Sequence, residues 1–211
     1  NHGLFDVLRG ANKRLSTNLT DAEFSDSNAL MSFDSDGYTV SSDGTTNAGG
    51  TYVAWNWKAN GSGSSNTDGT INTTATSANV DAGFSIIKHT GNATANATIG
   101  HGLSKAPELV ISKVTTHDNH IWSIFVKSVS GNRHLAFTTA AAHDEWEGHE
   151  GTTASVITLS DSASSNFNLT NKDVITYAWH SVDGYSKVGS YTGNGNADGP
   201  FVYTGFRPAW V

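Results

Sequence analysis

The sequence predicts an all-β fold: two tandem β-sandwich units of jelly-roll type, related by an internal repeat. Composition is the first reason. Among 211 residues there are 22 Gly, aromatics make up 10% and charged residues only 15%. That balance suits short strands joined by polar turns, not helices rich in Glu, Lys and Leu. Turn spacing is the second. Asp36-Gly37, Asp43-Gly44, Asn60-Gly61 and Asp68-Gly69 suit positions of positive φ, and such signals recur about every 8 to 12 residues, as in a sandwich or jelly roll. Self-similarity is the third. Asn12–Glu23 matches Asn132–Glu145, Phe33–Lys58 matches Ser155–Ser181 through a shared Ala-Trp strand, and Phe84–Val110 matches Tyr185–Val211. The offset moves from about 120 to about 102 residues because Gly61–Gly83 is replaced in the second half by Val182-Asp183-Gly184.

In chain order, the first unit (residues 1–101) is expected to hold strands at Leu4–Leu8, Arg14–Asn18, Leu30–Phe33, Tyr38–Ser41, Tyr52–Lys58, Ile71–Thr76, Phe84–His89 and Ala97–Ile99. Tyr38-Thr39-Val40 and Tyr52–Trp57 alternate, so one face can be buried while the other is solvated. Only Leu4–Arg14 and Thr20–Asn28 suit a helical turn. The second unit (residues 102–204) is expected to hold strands at Glu108–Thr116, Ile121–Val129, His134–Thr138, Ser155–Leu159, Val174–Ser181, Tyr185–Tyr191 and Phe201–Tyr203.

Residues 205–211 are left over, and the strand count gives them a use. The second unit opens with Ala106–Thr116, for which the first has no equivalent. Asn1 matches the second unit's next strand, near Asn119–Ile124, and since it is not Met the chain is expected to be a processed product or a part of a longer one. A sandwich short of one strand offers an open edge, which a spare strand fills by strand addition. Phe206, Arg207, Pro208, Ala209, Trp210 and Val211 are therefore the expected assembly strand, with Phe206 and Trp210 as its anchors. The partner is another copy of the chain, joined head to tail, or the next domain of a tandem array.

These stretches also carry a resemblance. TYVAWNWKANG, NTDGTINTTATSANVDAGFSI, the Gly100–Pro107 step and above all GYSKVGSYTGNGNADGPFVYTGFRPAWV resemble recurring domains of unknown function in structural proteins of marine and freshwater tailed phages. The likeness covers most of the chain and weakens over Asp118–Glu150. It implies a virion appendage or fibre of tandem jelly-roll-like domains, located extracellularly or in the virion, and brings no catalytic residues with it.

Several polar clusters are candidate sites. His143, Asp144, Glu145, Trp146, Glu147 and His149 form the possible ligand loop, acidic and imidazole-rich but without the spacing of a zinc site. A solvated loop is the favoured reading. No cofactor is expected, with calcium in this loop as the minor alternative. His117-Asp118-Asn119-His120 and Asp34-Ser35-Asp36-Gly37 read as turns. Of the six Trp residues, Trp55, Trp57 and Trp179 are expected in the core, while Trp146 is the better residue for stacking on a sugar. No Gly-x-Ser-x-Gly elbow or phosphate loop appears, so no enzyme activity is expected.

Net charge is −7 and Lys and Arg are scattered, which argues against a nucleic-acid partner. There is no Cys, so stability rests on packing or assembly. No apolar run approaches a membrane span. The expected function is a fibre protein that assembles through its C-terminal strand. A glycan-binding adhesin or phage receptor-binding module, with cell-surface glycans as partners, is the alternative.

Overall fold

The computed structural model describes residues 2–128, 135–137, 149–160 and 167–211. Among these the chain is all-β, without a helix, and therefore has no helix long and apolar enough to cross a membrane. In order the strands are β1 (Lys13–Arg14), β2 (Phe24–Ser25), β3 (Leu30–Phe33), β4 (Tyr38–Val40), β5 (Ala75–Asn79), β6 (Phe84–Thr90), β7 (Thr98–Gly100), β8 (Leu109–Val114), β9 (Ser123–Val126), β10 (Leu135–Ala136), β11 (His149–Thr152), β12 (Val156–Leu159) and β13 (Asp173–Trp179). β1 and β2, and β3 and β4, make two small ribbons; the β3–β4 turn is closed by Asp34 N–H donating to Gly37 O at 2.9 Å. The main sheet has six antiparallel strands in the order β10-β9-β8-β13-β6-β5, and a three-stranded sheet runs β11-β12-β7.

β13 organises the main sheet. It pairs with β6 from Asp173↔Thr90 to Trp179↔Phe84, and with β8 from Val174↔Val114 to Trp179↔Leu109. Its side chains alternate between two covered faces, as strand geometry requires. Ile175 and Tyr177 join Phe84, Ile86, Leu15 and Trp122 on one side, with Leu4, Val7 and Leu8 packed against them. Ala178 joins Ile87 and Val110 on the other side, against Ile99, Ile157 and Leu159 of the three-stranded sheet. A sheet covered on both faces needs near-continuous apolar strands, and Phe84-Ser85-Ile86-Ile87 and Val174-Ile175-Thr176-Tyr177-Ala178 supply them. Each fully buried Ile or Leu contributes about 1.5–3 kcal/mol.

The N-terminal cover is pinned by polar groups. Arg9 Nε lies 2.5 Å from Asp6 Oδ2, and Arg9 Nη1 3.1 Å from Glu23 Oε2. Tyr177 donates to the same Asp6 oxygen, while Asp6 Oδ1 accepts from the backbone N–H groups of Leu8 and Arg9. Burial alone would lower the Arg9 pKa, but Tyr177, Asp6 and Glu23 outweigh it and raise it. Trp122, fully buried, donates its indole N–H to Ser16 O at 3.1 Å. Lys113, also fully buried, donates to Thr20 O at 3.1 Å and His120 O at 2.8 Å.

Several expected elements differ. Tyr52–Lys58, Tyr185–Tyr191 and Phe201–Tyr203 form no strand. An alternating stretch becomes a strand only when a neighbour completes its hydrogen bonds; β5 and β13 do this for β6, and no strand does it for Tyr52–Lys58. Leu4–Leu8 supplies only an isolated Leu4↔Leu15 bridge, and neither stretch suited to a helical turn contains a helix. Residues 1–101 and 102–204 also share sheets: β6 pairs along its length with β13, and β7 with β12. The hydrogen bonding therefore does not divide at residue 101.

Candidate assembly site

The features expected to carry function are aromatic side chains outside the sheets. Residues 187–211 contain no strand. Phe201, Tyr203 and Val211 are 89%, 78% and 99% exposed. Trp210, the expected anchor, is 65% exposed and rests against two other tryptophans: its ring centroid lies 6.3 Å from that of Trp55 and 6.3 Å from that of Trp57. Trp57 in turn meets Trp179 edge-on at 5.9 Å, and Trp179 stacks on Phe84 at 5.0 Å. A line of aromatic rings thus runs from the end of β13 out to the C-terminal segment.

Trp55 and Trp57 were expected in the core. Instead they are 64% and 46% exposed, because Tyr52–Trp57 has no paired strand to hold it against an apolar layer. Trp179 does pack against the core, where it stacks on Phe84. Alternation revealed which residues share a face of Tyr52–Trp57, but alternation alone does not reveal whether that face is covered. The sequence signal that points outward is the flank: Asp43–Thr51 carries three Gly and three Thr.

Two shallow depressions lie near the C-terminal segment. One, of about 290 Å³, is lined by Lys105, Glu108, Lys127, His180, Ser181 and Asp183; the other, of about 260 Å³, by Asp183, Ser186, Lys187, Tyr203 and Thr204 among others. Glu108 accepts hydrogen bonds from Ser181 N–H at 2.7 Å and from the Ser181 hydroxyl. Burial pushes the Glu108 carboxyl up, but those bonds, with Lys127 and Lys187, bring it below the usual range.

Other predicted site residues fall elsewhere. His143, Asp144, Glu145, Trp146 and Glu147 lie outside the described residues. His149 is described and is buried, not looped out: it begins β11, and its Nε2 is 3.0 Å from Ser112 Oγ. Ser112 Oγ is shared with Thr176 Oγ1 at 2.7 Å. A serine beside a histidine is the outline of a nucleophile and base, but this pair is buried, Ser112 at 0% and His149 at 2% exposure. Sequence reasoning missed it because its three members come from β8, β11 and β13. Among the described residues, no group of three or more His, Asp or Glu is placed to hold a metal ion. Asn168, which opens an Asn-Leu-Thr triplet, is buried, with its side chain bonded to Asn92 N and Thr94 O.

What the exposed cluster offers chemically is a broad apolar, π-rich surface next to unpaired backbone. Such a surface can stack on sugar rings or receive an extended peptide strand. No curated protein and no solved structure matches the chain. A family of domains of unknown function matches over residues 1–211, and the chain belongs to that family, DUF7483.

Proposed function

We propose that this protein is a structural component of an extracellular or virion fibre, acting by assembly and not by catalysis. Copies join head to tail through Phe206–Val211, and the architecture is one of tandem, jelly-roll-like sandwich units related by an internal repeat. One observation carries the reading. The C-terminal segment holds Phe201, Tyr203, Trp210 and Val211 outside every sheet and largely uncovered, and large exposed apolar patches mark interaction surfaces. The repeat is supported by matching pairings: Leu4 bridges Leu15, and Ile124 pairs with Leu135, with the same interval along the chain separating each residue from its counterpart.

Sedimentation velocity across a concentration series tests the proposal. The full chain is expected to form species larger than a monomer as concentration rises, and a chain lacking Gly205–Val211 to remain monomeric and folded. Equal assembly by both would place the joint elsewhere.

The exposed tryptophans also favour a second reading, a glycan-binding surface for an adhesin or receptor-binding module. Binding to a glycan array that is lost in Trp55→Ala and Trp57→Ala would support it; binding unchanged in both would remove this surface as the site.

A further inference from the structure

The assembly reading names a donor segment, and the geometry of β13 identifies its acceptor. Within the six-stranded sheet, Trp179 stands opposite Leu109 and Ala178 opposite Val110. Both strands have sequence counterparts outside the sheets. Tyr52-Val53-Ala54-Trp55 corresponds to Thr176-Tyr177-Ala178-Trp179, and Pro208-Ala209-Trp210-Val211 to Pro107-Glu108-Leu109-Val110. Carrying the observed register across places Trp55 opposite Trp210 and Ala54 opposite Val211. Trp55 and Trp210 are already ring neighbours at 6.3 Å, although neither lies in a strand and Val211 remains almost wholly exposed.

Resting on the assembly reading above, we propose that Tyr52–Trp57 is the acceptor edge for Ala209–Val211 of a second copy, paired antiparallel with Trp55 opposite Trp210 and Ala54 opposite Val211. Three features select this occupant. The register is the one that the chain uses in its own central sheet. The aromatic contact within a single chain brings the rings together without any strand pairing of the backbone, so main-chain donors and acceptors of Tyr52–Trp57 are left for a partner strand. The contact in one chain also leaves Phe201 and Val211 uncovered. Exchange of an identical contact from within a chain to between chains is a low-cost route to assembly.

The absence of cysteine makes crosslinking a clean test. Two single variants of the chain, Ala54→Cys and Val211→Cys, are mixed and oxidised under mild conditions. Both positions are exposed, so neither change disturbs the core. A disulfide-linked heterodimer is expected, with roughly tenfold less product from Val53→Cys and Val211→Cys, because a one-residue slip turns the side chain to the opposite face. Equal yields from both mixtures, or none from either, overturn the proposed pairing. Sedimentation of the unmodified chain separates the two ideas. Assembly without an Ala54–Val211 link means that the acceptor is wrong and the fibre reading stands. A strictly monomeric chain, whose double variant closes a disulfide only within itself, overturns the second copy as partner and the fibre reading with it.

Discussion

Tyr177 donates its hydroxyl proton to Asp6 Oδ2 at 2.6 Å, linking the centre of the six-stranded sheet to the segment that covers it. The same carboxylate oxygen contacts Arg9 Nε, so three buried polar groups depend on each other. Removing one member of a buried charge pair leaves the other uncompensated, at a cost of about 3–5 kcal/mol. Arg9→Met is expected to lower the urea midpoint accordingly. Tyr177→Phe removes one hydrogen bond while Asp6 keeps its others, and is expected to cost only about 1–2 kcal/mol. Equal midpoints for Arg9→Met and the unmodified chain would show that the network contributes nothing to stability.

His89 is fully buried, and its Nε2 donates to Phe167 O at 3.1 Å. Burial lowers its pKa from 6.5 to about 4, against a smaller upward pull from that hydrogen bond and Asp173. Between these values the unfolded chain binds a proton that the folded chain refuses, so stability is complete above pH 6.5 and falls as pH drops towards 4. The loss is about 3 kcal/mol from this residue. Thermal melts between pH 4 and 7 measure it, and the slope is expected to be shallower in His89→Gln.

Lys113 gives the opposite end of the pH scale. Desolvation brings it from 10.5 down to about 8, partly offset by Asp118 and Asp21. The unfolded chain again holds the proton more tightly, so stability rises as pH increases from 8 to 10.5, by up to about 3 kcal/mol from this group. Denaturant midpoints at pH 7.5 and 10 check the sign; a fall instead of a rise would contradict the burial of a charged amine at this point.

Gly63 has φ of 67°, and a Cβ placed there would lie 2.5 Å from Thr76 O. Backbone conformation and space both exclude a side chain. Gly63→Ala is expected to cost more than about 1 kcal/mol, whereas Gly37→Ala, which meets open space, is expected to be close to neutral in the same unfolding assay.

The sequence was most legible where pattern and partner agree. Leu30–Phe33 is a strand with the expected bounds, and Phe84–His89 differs from the observed strand by one residue. Both are bounded by turn residues. His149–Thr152 escaped notice as a strand because its neighbours read as an acidic loop and Gly151 sits at a register shift. Tyr52–Lys58 reads as a strand, but pairing is a property of two segments, and one sequence stretch carries no information on whether its neighbour arrives. The Asp6–Arg9–Tyr177 network was illegible for a similar reason. Asp6 and Arg9 look like a surface pair one turn apart, and only the fold brings Tyr177 to them from the far end of the chain. At the candidate site, Trp210, expected as an anchor, is 65% exposed, and the rings beside it are Trp55 and Trp57, which were expected in the core.

The central strand β13 is also the last in order of the thirteen strands among the described residues. It separates β6 from β8, so synthesis delivers both neighbours long before the strand that unites them. Until Asp173–Trp179 emerges, the β5–β6 hairpin and the β8–β9 hairpin each present an unpaired edge, and the closing step brings together residues as far apart as Phe84 and Trp179. Sheets that depend on such distant pairings close slowly, and open edges invite association with other chains in the interval. Nascent chains that end before residue 173 therefore keep two edges of the main sheet open to association, and the arrival of one strand closes both.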